Sequence, residues 1–215
     1  MMAVSIRKIS VDRRHEIEQT ALDLAYEHGP DKVSTGMIAD HLGITQPAIY
    51  KHFRRKEDIW AAGAKSLAQK IGENVSFAQQ AHSSPKKRLK CLVMEHIKLV
   101  EQNPALPELM TMRGGKDDHY TFQVTIQAAM AQLRLAIESD FALGIERKEF
   151  CMDVDPADAS QLIFGLIQSL VLRMLVSRNN AVLQNAVLQN AVLQNDGERL
   201  LDLLLNGFMA KEKTP

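Results

Sequence analysis

Apolar side chains recur with a helical period along nearly the whole chain, and no stretch alternates as a half-buried strand would. Between Asp12 and His28 they fall at Ile17, Ala21, Leu24 and Ala25, one stripe of an amphipathic helix that Gly29-Pro30 stops. Ser34 or Thr35 can cap a short second helix carrying Ile38, Ala39 and Leu42, and Gly43 supplies the left-handed turn after it. Thr45 can cap a third. Pro47 is tolerated in its first turn, where backbone N–H groups lack intrahelical partners.

From Lys56 a longer helix runs to about Gln80 and breaks at HSSP, with Ser84 as the next cap and Pro85 at the first helical position. That helix reaches Asn103-Pro104. A short segment spans Leu106 to Met112 and ends at Gly114-Gly115, and a long helix covers roughly His119 to Leu143. DVDPAD then gives a strong start: Asp155 as cap, Pro156 next, Asp158 facing the positive helix end, with the helix running to about Ser177. A final helix spans roughly Gly197 to Met209. Between these two lies AVLQN, repeated three times over residues 181–195. A period of five turns about 500° on a helix, so Leu183, Leu188 and Leu193 share no face. The tract reads as a tandem expansion, lying as an exposed loop or a helix extension.

One spacing carries function. Ala39, then Gly43, then Ile49 is the pattern of a helix-turn-helix: a small residue where two helices cross, a glycine where the chain turns, and an aliphatic that locks the second helix onto the first. Charge changes the picture only locally. Formal net charge is zero, and residues 1–60 hold nine Lys/Arg and nine Asp/Glu, so a basic surface must come from sorting charges onto faces. Arg7, Lys8, Arg13 and Arg14 form one cluster; Lys51, Arg54, Arg55 and Lys56 form another, interleaved with Tyr50, His52, Phe53 and Trp60.

The stretch from Ile17 to Trp60 resembles the DNA-binding domain of TetR-family (tetracycline-repressor-like) transcriptional regulators, through Ile38-Ala39, Gly43-Ile44-Thr45, Ala48-Ile49-Tyr50, His52-Phe53, Lys56-Glu57 and Ile59. The resemblance covers the first quarter of the chain; the AVLQN repeat is no part of the family pattern. It implies an all-α protein with a helix-turn-helix domain over residues 1–57 and a helical effector-binding and dimerisation domain over 58–215. On the third helix, Ile49 and Phe53 would turn inward against Ala21, Ile38 and Leu42. Thr45, Gln46, Pro47 and Ala48 would face base edges in the major groove. Gln46 can bond adenine, while Pro47 and Ala48 can touch thymine methyls. Tyr50, Lys51 and His52 are placed for phosphates. Lys56 contacts a phosphate by resemblance alone, Ser34 and Thr35 are placed for the opposite backbone, and Arg7 and Lys8 can form an arm. Arg54 and Arg55 read as a solvated turn.

The resemblance further implies a homodimer formed by the last two long helices, binding a palindromic double-stranded operator and released by a small-molecule effector. Those helices carry wide apolar faces: Leu162, Ile163, Leu166 and Leu170, then Leu200, Leu201, Leu204 and Phe208. Methionines suit a pocket for an apolar or amphipathic effector; Met94, His96, Met110, Arg113, His119, Gln123 and Met130 are its candidates. A recruited protein partner is the rival to a metabolite. No nucleophile–base signature, phosphate-binding glycine loop or zinc motif is present, so neither catalysis, cofactor nor metal is expected. Cys91 and Cys151, without CxxC, fit a reducing cytoplasm as buried thiols. No stretch approaches the ~20 apolar residues of a membrane span; the longest greasy segment, LIFGLIQSLVLRMLV, is broken by Gln168, Ser169 and Arg173.

Overall fold

The computed structural model describes residues 2–111, 119–178 and 186–209, with the side chains of 2–11, 177–178 and 186–193 outside the description. Among the described residues the protein is all helix, and its one β-like feature is an isolated antiparallel bridge between Phe150 and Met209. In chain order the helices are α1 Met2–His28, a 3-10 turn Pro30–Lys32, α2 Thr35–His41, α3 Gln46–Tyr50, α4 Lys56–Ala81, α5 Pro85–Gln102, α6 Leu106–Thr111, α7 Tyr120–Glu146, α8 Pro156–Arg178 and α9 Ala186–Gly207.

Most starts lie where capping chemistry predicts. Ser34 Oγ accepts the Met37 N–H at 3.2 Å. Ser84 Oγ accepts from Lys87 N, and Asp155 Oδ1 accepts from Ala157 N at 2.7 Å and Asp158 N at 3.2 Å. At α4, Asp58 reaches back to the Arg55 N–H at 3.1 Å, the reciprocal half of a capping box. Two starts differ from the sequence reading. Helix α1 opens at Met2, ahead of Asp12, because no glycine or proline interrupts 2–28. Helix α9 opens at Ala186, ahead of Gly197. The last two AVLQN copies are thus helix extension. The first copy, 181–185, lies outside the described residues.

The chain forms two compact units, Met1–Gln69 with Asn103–Ala128, and Lys70–Gln102 with Ala129–Pro215. The first unit therefore extends past the 1–57 head expected from sequence. The physical reason lies in α4, whose Ile59, Trp60, Ala64 and Leu67 are buried. Ser66 Oγ also donates to the buried Glu18 of α1 at 2.9 Å. The core of the head is Ile17, Ala21, Leu24, Ala25, Ile38, Ala39, Ile49 and Phe53.

In the second unit α9 packs on α5 and α8. Gly197 allows the close approach: a Cβ there would stand 3.0 Å from Ile97 Cδ1 and 3.3 Å from Leu170 Cδ1. Lys90 Nζ lies 2.9 Å from both Glu198 Oε1 and Asp202 Oδ2, and those two acceptors raise its pKa. Gln194 Nε2 donates to Glu101 Oε2 at 2.6 Å. Within α8, Ala159, Ile163, Ile167 and Leu170 are buried while Leu162, Leu172 and Val176 are exposed. By length and composition alone the window Pro156–Val176 is apolar enough to cross a membrane, and one third of it is buried. The sequence reading put such a length out of reach. What raises the window is apolar side chains on both faces, which Arg173 and the polar pair Gln168-Ser169 do not offset.

Candidate nucleic-acid interface

The turn between α2 and α3 is a Schellman closure. Ile44 N–H donates to Ala39 O at 3.0 Å and Gly43 N–H to Asp40 O at 3.2 Å. Gly43 sits at φ 62°, and a Cβ there would meet nothing within 4 Å, so conformation rather than space requires the glycine. Ile38, Ala39 and Ile49 are buried at the crossing. The buried Ile49 turns the opposite side of α3 outward, leaving Thr45, Gln46 and Pro47 exposed and Ala48 half-buried. Thr45 occupies the cap position, but its side chain makes no capping hydrogen bond.

Three of the expected contact residues form one unit. Gln46 Nε2 donates to Thr35 Oγ1 at 2.7 Å, and Thr35 Oγ1 lies 3.3 Å from Tyr50 Oη. Thr35 is only 6% exposed, whereas Tyr50 is 48% exposed and Ser34 is exposed. Lys51 is exposed and His52 half-buried. Lys56 Nζ donates to Val33 O at 3.4 Å, which ties the first turn of α4 to the segment before α2.

Arg14 is a residue that motif reading passed over. Its Nη1 donates to His52 O at 2.6 Å, and its guanidinium lies 4.2 Å from the centroid of the Phe53 ring. It satisfies a carbonyl just past the end of α3 and covers the aromatic that anchors it. Its place in a basic cluster was the only sequence signal, since the contact joins residues far apart in the chain. Arg55 pairs with Glu57 and Asp58 in an exposed turn. The side chains of Arg7 and Lys8 lie outside the described residues.

The effector candidates divide between the units. Met110, His119 and Gln123 belong to the first, and Met94, His96 and Met130 to the second; Arg113 lies outside the described residues. In the first unit His119 packs edge-on to Trp60, with ring centroids 5.0 Å apart. Gln123 Nε2 donates to Leu109 O at 2.9 Å. In the second, His96 is 3% exposed, its Nδ1 has no hydrogen-bond partner among the described residues, and burial lowers its pKa to about 4. An apolar groove of ≈ 440 Å³ runs between α8 and α9, lined by Leu162, Leu166, Leu200, Leu203, Leu204, Gly207 and Phe208. None of the effector candidates lines it. Cys91 and Cys151 are half-buried free thiols; burial foremost raises the Cys91 pKa, away from thiolate reactivity.

Residues 17–62 match the profile of bacterial regulatory proteins, tetR family. The nucleoid occlusion factor SlmA of Serratia proteamaculans is 26% identical over 105 residues, which is 48% of this chain and 53% of that protein. The chain thus spans about half the length of the curated relatives it matches. Among solved structures, a TetR transcription regulator from Haloarcula marismortui superposes with TM-score 0.71 at 19% identity, covering 93% of this chain and 99% of that one. The regulator FadR of Bacillus subtilis, in complex with stearoyl-CoA, does so with TM-score 0.65 at 20% identity, covering 90% and 98%.

Proposed function

We propose, from the match of residues 17–62 to the tetR family, that the chain is a TetR-family DNA-binding regulator and a ligand-responsive repressor. It binds a roughly palindromic operator as a homodimer and leaves it when a small apolar or amphipathic effector binds. The observation that carries the DNA half is the exposed turn Thr45–Pro47, seated on the buried Ile49. Such a turn presents side chains to base edges. Around it Ser34, Tyr50, Lys51 and His52 serve the phosphate backbone. Residues 1–57 carry this reading function, and 58–215 carry effector response and dimerisation.

The homodimer is supported by the groove between α8 and α9, lined by the exposed Leu162 and Leu203, and by the exposed Leu172 and Val176 further along α8. A stripe of that kind fits a second copy across a twofold axis, and a dimer reads two half-sites. The effector half is supported by the adaptable methionines that the sequence supplies, Met94, Met110 and Met130, and by the stearoyl-CoA held in FadR. Release requires the effector to favour the conformer of low operator affinity, and a difference of about 1–3 kcal/mol suffices. The reducing cytoplasm is the compartment consistent with two free thiols.

Selection of bound duplexes from random DNA, followed by a salt titration, tests the reading. The affinity should fall as salt rises, with a log–log slope of about −0.9 per phosphate neutralised. A chain that retains no duplex at about 50 mM salt is not this regulator. Stearoyl-CoA added to the selected complex tests release. The match to a nucleoid occlusion factor favours a second reading, a DNA-bound dimer that recruits a protein. Operator binding that no acyl-CoA or other amphiphile weakens would select it.

A further inference from the structure

We propose that Thr35 is a positioning residue that sets the sequence preference of α3, by holding Gln46 and Tyr50 in one hydrogen-bonded unit before DNA arrives. This rests on the DNA-binding reading above. Thr35 is nearly buried at the first turn of α2, while its two partners are exposed on α3. Gln46 and Tyr50 are four residues apart, hence on one face of their helix, and both converge on Thr35 Oγ1, at 2.7 Å and 3.3 Å.

The hydrogen-bond inventory of the three groups is complementary. One amide hydrogen of Gln46 goes to Thr35 Oγ1. That leaves the second amide hydrogen and the carbonyl oxygen of Gln46 for a base edge. Adenine offers the matching pair, an acceptor at N7 and a donor at N6. The Thr35 hydroxyl can give its own proton to Tyr50 Oη, which leaves the tyrosine proton to point outward at a phosphate oxygen. Thr35 thus acts through its neighbours rather than on the DNA. A free glutamine would lose its rotamer freedom on binding; here the tether has already removed it, so the amide meets the base pre-oriented. Tyr50, in the same unit, fixes the register of that amide against the backbone.

The test uses the full chain with Thr35→Val, Thr35→Ser, Gln46→Ala and the double variant Thr35→Val/Gln46→Ala. Each is measured against a duplex selected by the wild-type chain and against a random-sequence duplex, with a melting temperature for each. Thr35→Val should lose about tenfold in affinity for the selected duplex, the low end of one base contact. It should lose less on the random duplex, and base preference should relax at one position. Thr35→Ser should retain the preference. In the Gln46→Ala background Thr35→Val should cost no further preference between the two duplexes, because both remove the same oriented amide, and any loss through Tyr50 should fall on both duplexes alike.

Wild-type preference in Thr35→Val, equal losses in Thr35→Val and Thr35→Ser, or losses of preference that multiply in the double variant would each overturn the proposal. If Thr35→Val unfolds, Gln46→Ala, Tyr50→Phe and their double variant read the same coupling from exposed positions: losses of preference between the two duplexes that multiply there overturn it. A wild-type chain that binds neither duplex ends the DNA-binding reading itself, an outcome separate from all of these.

Discussion

The three-helix head and the second unit both have apolar cores, and they differ in what they leave at the surface. In the head the aliphatics Ile17, Ile38, Ile49 and the ring of Phe53 are inside, and the buried Glu18 and Thr35 are hydrogen-bonded. Its outer turn is small and polar: Thr45, Gln46, Lys51. In the second unit Ile97, Phe141 and Ile163 are inside together with His96, whose Nδ1 has no hydrogen-bond partner among the described residues, and Asp140 beside Arg88, while Leu162, Leu172, Val176 and Leu203 face out. The difference teaches what each proposed partner would have to supply: a polar polymer for the polar turn, and another apolar surface for the exposed leucines.

The largest test of that contrast is Leu203→Glu. Leu203 is 68% exposed at the rim of the α8–α9 groove, so the monomer tolerates the charge. A twofold interface would receive two charges, and self-association should weaken at least about a hundredfold by sedimentation equilibrium. A variant that stays dimeric removes the groove from the interface.

Next comes the interior. His96 is neutral when folded, with a pKa of about 4 against 6.5 for the free side chain. The unfolded chain therefore takes up a proton first as pH falls. The contribution of His96 to stability is full above pH 6.5 and is lost between 6.5 and 4, about 3 kcal/mol in all. Asp140 works in the opposite direction, because burial raises its pKa despite Arg88; its folded form binds a proton first, so stability rises as pH falls through the raised value. Urea unfolding of the wild type and His96→Leu at pH 7.5 and 4 isolates the histidine, and equal pH dependence in both would refute the assignment.

The smallest effect lies in the head. Ser34→Ala removes the cap bond to Met37 N and should cost about 1 kcal/mol, read as a lower denaturant midpoint. Operator affinity should fall with it if α2 carries the reading helix.

The head was legible because its residues meet requirements that few others satisfy. Gly43 must take a positive φ, Ala39 must be small at a crossing, and Ser34, Ser84 and Asp155 present oxygens at helix starts. The outer face of α8 was not legible. Leu162 and Ile163 are neighbours of one chemistry, yet one is exposed and the other fully buried. A helix apolar on all sides has no period that separates inward from outward, so the sequence reading grouped Ile163, Leu170 and Leu201 with the true outer residues and passed over Leu172, Val176 and Leu203. The Thr35 contacts were hidden for another reason: they join α2 to α3, and only the folded turn brings them together.

The way α9 is fastened makes the copy number of its leading tract a free variable. Phase along a helix is counted from the point of attachment, and that point is Gly197, lodged against Ile97 and Leu170. Adding or deleting one pentapeptide moves the far tip by about 7.5 Å and swings it by about 140°. Everything downstream of Gly197, Leu200 through Phe208 included, keeps its bearing.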